Sequence, residues 1–446
     1  MRRVLQAFCG ALIALLALPA AALARGGGGS FHFGGGGGGR GFGGGGRGFG
    51  GGHFLFFGGG FGLILAIVAI VLVFVLVSYL KREAIAARYR ARRRRRTERV
   101  RLAAAEATED DPDFAPEVVV NAAKGLFRGI QGAWDARDRP TLAKVMGPEL
   151  LAEWQRRLDG FDSKGWHNRV EVVGPVEVDY IGLVNRAADE DDRVIVRIET
   201  RLRDYVVGRN GRRVPRTDNS LNDVGPVAEY WTLGKRDGGW ILLSIEQDKE
   251  GEHQLDEPLV ASPWADDKAL HDEAVVEGAQ AERLPAGTAV REIADLQFEG
   301  TARQAALDLS LADGRFAPAV LEVAVRRAVE GWSEAGDGPD DRLLAVATAA
   351  AAQQMLHPGD PSGRTRLVVR GPRVKRLTIT RLDAGSEPPA LTVELEVSGR
   401  RYVEDRQTME ITSGSQQRET TWVESWRLDL DGDAENPWKI AALAAR

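Results

Sequence analysis

Six histidines are the side chains of this 446-residue chain best suited to proton transfer or metal ligation. General acid-base work needs a partner group within hydrogen-bond reach, and a zinc site needs three or four ligands brought together. His32 and His53 lie in a glycine-rich stretch, and His253 and His271 lie in a Pro-containing segment between two patterned halves. His167 follows Trp166 and His357 precedes Pro358, at different places in the two halves, so no spacing pairs them. All six are read as surface or satisfied core histidines. The one cysteine, Cys9, sits in the N-terminal apolar segment, which excludes an intramolecular disulfide and a Cys-ligated metal.

The stretch "DLDGDAE" at 429–435 has the acids of a calcium loop. Its glycine stands fourth instead of sixth, and no helix succeeds it to bring the ligating Glu, so it is read as a hairpin turn. No G-x-S-x-G, H-E-x-x-H or G-x-x-x-x-G-K-[ST] occurs. The sequence therefore predicts no catalytic residue, no cofactor, no metal and no enzyme. Residues 25–60 contain G-x-G-x-x-G repeatedly, but no strand precedes those glycines, and Arg40 and Arg47 give little attraction for phosphates. That stretch is read as a disordered tether, and no nucleic acid is expected as a partner.

Charge organises the rest. Residues 1–80 hold five arginines and no acid, and residues 81–101 hold eleven Lys or Arg against Glu83 and Glu98. With a whole-chain charge of −5, residues 102–446 carry −19. "MRR", an apolar run and Ala22-Leu23-Ala24 read as a signal peptide over 1–24, with an uncleaved first membrane helix as the alternative. "FGLILAIVAIVLVFVLVSYL", residues 61–80, has no charge and the length to span about 30 Å of hydrocarbon as a helix. The basic collar after it predicts that the C-terminal side stays in the cytoplasm under either reading of the N-terminus. Lys81, Arg82, Arg88, Arg92, Arg93, Arg94, Arg95 and Arg96 are the candidates for binding an anionic lipid surface. Residues 81–114 are read as this basic helix plus an acidic linker, "EATEDDPDFAPE".

Beyond that linker, one domain plan occurs twice. Phe127, Ile130 and Trp134 form a helical stripe, and so do Val325, Ala328 and Trp332. "NRVEVVGPVEV" at 168–178 matches "TRLVVRGPRVK" at 365–375, with Gly174-Pro175 over Gly371-Pro372. Val194, Val196 and Ile198 alternate along one strand and Leu391, Val393 and Leu395 along another, with Tyr205 over Tyr402. Trp231 falls on Trp426 and Trp240 on Trp438, and the "KRDGG" between the first two tryptophans is expected to turn in solvent. Period-2 alternation between turn residues predicts antiparallel sheets with one face buried beneath helices. The expected domains are 115–250 and 316–446, joined by a linker with one helix at 251–315.

Laid out this way, each half resembles the Tim-forty-four-like domain family, within the nuclear transport factor two-like cone fold. Trp134, Tyr205, Glu229, Trp231, Trp240 and Ile245 carry the resemblance in the first half. Trp332, Tyr402, Glu424, Trp426, Trp438 and Ile440 carry it in the second. Leu233 and Leu428 depart from it, standing where the family has an aromatic, and the motor-binding region of the mitochondrial member is replaced by the signal peptide, tether and membrane helix.

The expected fold class is α+β. Two tandem cone-like domains of curved antiparallel sheet, covered by N-terminal helices, come after one transmembrane helix. The apolar segment and basic collar, together with the membrane association and partner binding that the resemblance implies, lead to the expectation of a non-catalytic, membrane-anchored scaffold of the inner membrane, single-pass with cytoplasmic domains. It would bind a protein partner and the anionic membrane surface, in protein transport or membrane protein assembly. The alternative is a binder of a small molecule or acyl chain, or an enzyme, using a cone pocket, for which Trp166, Tyr180 and Tyr205 are the candidate lining.

Overall fold

The computed structural model describes residues 60–214, 223–280, 296–298, 302–311, 313–336 and 339–443. The expected signal peptide and tether lie outside the described residues. Residues 100–446 form one compact unit, and the described residues up to 99 belong to a second.

Helix α1 runs from Gly60 to Asp110. It takes in the apolar segment 61–80 and the basic collar without a Gly or Pro break between them. The side chains of residues 60–71 and 75 lie outside the described ones, and among the described residues no helix is long and apolar enough to cross a membrane.

The first domain places α2 (Pro116–Ala136), α3 (Arg139–Val145) and α4 (Pro148–Lys164) against five strands. These are β1 (His167–Val172), β2 (Glu177–Val184), β3 (Arg193–Val207), β4 (Val224–Arg236) and β5 (Gly239–Gln247). Each helix has proline in its first turn, where the missing N–H has no intrahelical acceptor to lose. Strand β3 pairs with β4 along one edge and with β1 and then β2 along the other, all antiparallel. The turn between β4 and β5 has positive φ at both Asp237 (52°) and Gly238 (74°), which matches the twist of a tight hairpin.

The second domain has α7 (Pro318–Glu334), α8 (Asp341–Val346) and α9 (Ala349–Leu356), preceded by α5 (Asp267–Gln280) and α6 (Ala302–Ser310). Its sheet is ordered β11-β10-β8-β7-β6, with β9 on β8. The strands are β6 (Leu296–Phe298), β7 (Thr365–Asp383), β8 (Ala390–Asp405), β9 (Ile411–Gly414), β10 (Thr420–Asp429) and β11 (Lys439–Leu443). Strand β7 takes the place of β1 and β2 together, and its pairing with β8 slips between Arg370 and Arg373, at Gly371-Pro372. The backbone N–H of Gly147 reaches the carbonyl of Leu242 at 2.7 Å, and that of Thr348 reaches Ile440 at 2.9 Å, so the helical layers tie to their sheets alike.

The expected helical stripes and alternating strand faces are buried as read. Phe127 packs on Trp231 with centroids 5.2 Å apart, and Trp332 meets Trp426 edge to face at 5.8 Å. The boundaries differ from the expectation. Val100, Ala104, Ala107 and Phe114 belong to the first core, so residues read as helix end and acidic linker are part of the domain. Val275, Val276, Ala279 and Ala302 belong to the second core, and β6 extends its sheet, so 251–315 is not a linker with one helix. The sequence held a signal for this: "RLAAAEATEDDPDFAP" at 101–116 aligns with "RQAALDLSLADGRFAP" at 303–318. In both domains an Asp side chain caps a short 3-10 turn, Asp111 for Pro112–Phe114 and Asp313 for Gly314–Phe316. Phe114 then stacks edge to face on Trp240 and Phe316 on Trp438, each at 5.5 Å.

Candidate functional site

Lys235 lies near the end of β4 beside the hairpin turn, opposite Trp240. It does not turn in solvent as expected for "KRDGG" but is buried. Its ammonium contacts the Asp111 carboxylate, lies 3.3 Å from Asp192 and 3.6 Å from Asp113, and sits 5.3 Å from the Phe114 ring and 5.7 Å from that of Trp240. The cap that starts the domain is thus locked to the hairpin that closes its sheet. Burial pushes the Asp192 carboxyl up to about 6 and draws Lys235 down, since both charges are taken out of water.

Beside them opens a cleft of about 420 Å³ lined by Asp110, Asp111, Asp113, Asn185, Arg186 and Asp189. Oxygens of Asp111, Asp189 and Asp192 come within 4.8 Å of one another, a spacing that suits a cation. That role is filled by Lys235, whose charge would repel a metal ion at the same carboxylates.

The three expected pocket residues do not line this cleft. Tyr180 is in the first core, paired along the ladder with Val196; its buried hydroxyl has no hydrogen-bond partner among the described residues, and burial raises its pKa. Tyr205 alternates out of phase with the buried Leu202, Asp204 and Val206 and is capped by the Arg213 guanidinium 4.4 Å above its ring. Trp166 comes after the left-handed Gly165 that ends α4, half-buried, with the Lys164 ammonium 5.1 Å from its ring. Period-2 geometry puts Tyr180 and Tyr205 on opposite faces of one sheet, which separates them. Interior polar order comes instead from Asn168, which accepts from Trp134 Nε1 at 2.8 Å and donates to Asp204 at 2.7 Å.

Of the collar residues, Lys81, Arg88, Arg92, Arg94 and Arg95 are exposed along α1. Arg93 is half-buried with its guanidinium 5.9 Å from the Tyr89 ring, and the Arg82 side chain lies outside the described residues. Arg96 is buried, contrary to its expected place on a lipid-facing surface. Consecutive positions advance by about 100° around a helix, so five arginines in a row cannot all face one way.

The residues that sequence reading missed are at the seam between the sheets. A 3-10 turn, Glu250–Leu255, leaves β5 and lies along β7. Glu250 accepts from Arg370 Nε at 3.0 Å, from the Tyr402 hydroxyl at 2.6 Å and from the backbone N–H of Gln247 at 3.1 Å. His253, read as a linker histidine, lies 2.9 Å from Glu246 and 3.2 Å from Glu257. Burial opposes a charge on its ring, but the two carboxylates outweigh this and raise it to about 9. The same contact, with Arg370 behind it, holds the buried Glu246 below the usual carboxylate range. Gly371, at a φ of +53°, is needed here: a Cβ would stand 2.6 Å from His253 Cβ. Arg342 on α8 adds a bond of 3.2 Å to Asp191 of the first domain.

No curated protein matches the chain. Among solved structures, the intermembrane space region of the chloroplast protein ARC6 is 12% identical, covering 29% of this chain and 95% of that one, at a TM-score of 0.23. An Ntf2-like protein involved in plasmid conjugation is 9% identical, covering 74% of this chain and 95% of that one, at 0.19. The family comparison is sharper, since it begins at Val100, where the first core begins, and ends at Gln247, where β5 ends. Residues 100–247 match the family model of the Tim44-like domain.

Proposed function

We propose that this protein is a non-catalytic scaffold anchored in the inner membrane, holding two docked Tim44-like domains in the cytoplasm for a protein partner. The observation that carries the reading is the make-up of α1. Leu72, Val73, Phe74, Leu76 and Leu80 are all more than half exposed, and Lys81, Arg88, Arg92, Arg94 and Arg95 come next on the same helix. Such a run has a solvent it suits in lipid, with the basic residues at the head-group level on the cytoplasmic side. The matched family supports a binding role for the first domain, and the shared element order supports the same role for the second.

A reporter active only in the periplasm, fused after residue 446, tests the topology. The scaffold reading expects no reporter activity and a chain that stays with membranes through alkaline carbonate washing; activity, or release by the wash, overturns it.

A further inference from the structure

Trp264 is 82% exposed, whereas seven of the ten tryptophans are buried in the two cores and Trp166 and Trp422 are half-buried. Tryptophan is enriched at interfaces because it offers a large apolar surface with a polar edge, and in water that surface stays unused. Local structure holds this one out. The backbone N–H of Val260 donates to the Leu183 carbonyl at 3.1 Å, that of Asn185 to Val260 at 2.8 Å, and the Asn185 amide to Ala261 at 3.1 Å. The chain then turns through Pro263–Ala265, and Asp266, just ahead of α5, accepts from the Ala269 N–H at 3.1 Å. Trp264 is therefore fixed on an anchored turn whose Pro263 lines the acidic cleft.

Three acidic runs far apart in the sequence meet around that cleft, "EDDPD" at 109–113, "DEDD" at 189–192 and "DD" at 266–267. Its lining sets four carboxylates, Asp110, Asp111, Asp113 and Asp189, against Arg186 and Lys235. Both cations are already engaged, Lys235 with Asp111 and Asp192 and Arg186 with Asp266 at 3.6 Å. Asp110 and Asp189 are exposed. Among the described residues, Asp110 is met by the Asn185 amide at 3.3 Å, and Asp189 makes no ion pair. Like charges gathered in one place repel one another until a counter-charge arrives.

We propose that this cleft, with Trp264 at its edge, is the docking site on the first domain for a basic, arginine-bearing segment of a protein partner. The inference rests on the binding role proposed above and gives that partner its chemistry. A guanidinium matches carboxylates in paired geometry and stacks on aromatic faces, so arginine engages both features more fully than lysine. At about 420 Å³ the cleft has the size of a small-ligand pocket, which suits inserted side chains and not a folded partner. An incoming arginine needs only the outer Asp110 and Asp189, so Lys235 keeps Asp111 and Asp192.

The test uses the full chain in detergent and the fluorescence anisotropy of a labelled peptide of alternating Arg and Ser, beside Lys-for-Arg and Glu-for-Arg peptides of equal length. The Arg peptide is expected to bind saturably, the Lys peptide more weakly and the Glu peptide not at all, with affinity falling as sodium chloride rises. Trp264→Ala should weaken binding about tenfold, as for an aromatic anchor at an interface. Asp110→Asn combined with Asp189→Asn should weaken it about fivefold. All three positions are exposed, so these variants should keep the wild-type Tm. Asp431→Asn with Glu435→Gln, which removes two exposed carboxylates from a turn of the second domain, should leave the affinity unchanged. Absence of saturable binding, or an equal loss in the Asp431 and Glu435 variant, overturns the site. So does spermine binding that depends on Trp264 while the peptide does not bind, which would give the cleft to a small polycation. Peptide binding in detergent does not depend on which side of the membrane the domains occupy. Its failure would leave the topology reading standing, and reporter activity in the periplasm would leave this site standing.

Discussion

Tyr402 on the second sheet donates its hydroxyl to Glu250 across 2.6 Å, joining residues 152 apart in the chain. Glu250 is the first residue of the turn that leaves β5, so this bond fixes the exit of one domain onto the central strand of the next. Tyr402→Phe removes one of the donors to a buried carboxylate and is expected to lower stability by about 1.5–3 kcal/mol. Urea unfolding monitored by far-UV dichroism checks it; a midpoint unchanged from the wild type would mean the bond contributes nothing.

The pair of His253 and Glu246 makes that seam sensitive to pH. The folded imidazole lies above its unfolded value of 6.5, so its contribution is complete below that pH and is lost as pH rises through about 9. Glu246 is shifted the other way, so its contribution is present above its ordinary 4.5 and is lost in stronger acid. Stability from this pair should therefore be greatest between those two values and decline from about pH 7 to about pH 9.5. His253→Gln should flatten the decline in urea midpoints over that range, and a wild-type midpoint that does not fall would rule the coupling out.

Phe114 and Phe316 test where the domains begin. Each is buried against the tryptophan of its closing hairpin, although Phe114 stands ahead of any boundary drawn at 115. Replacing either by Ala in the full chain should cost about 3–5 kcal/mol, as for other aromatic core truncations. A loss below about 1 kcal/mol for Phe114→Ala would place it outside the cooperative unit.

Lys235→Met keeps the packing on Phe114 and Trp240 but leaves Asp111 and Asp192 without their cation. Breaking a buried ion pair from one side typically costs about 3–5 kcal/mol, and a loss of that order is expected at about pH 7.5. The deficit should shrink at about pH 5, where Asp192, already pushed up to about 6, takes a proton. Comparing Tm differences between variant and wild type at the two pH values decides it, and a deficit that grows on acidification would refute the assignment.

Local pattern in the sequence determined a great deal. Alternation along 194–198 and 391–395 and the stripes ending at Trp134 and Trp332 required half-buried sheets under amphipathic helices, because side-chain direction comes from backbone period alone. The recurrence of tryptophans and of Gly-Pro at nearly constant offset pointed to one plan laid down twice, and the shared D-x-x-F-A-P holds the Phe that enters each core. Tertiary structure decided what no period encodes. It placed Lys235 among aspartates instead of in water and brought Glu250 to Tyr402. Those meetings depend on how elements distant in the chain come together, and a charged side chain reads the same in sequence whether its partner or the solvent finally receives it.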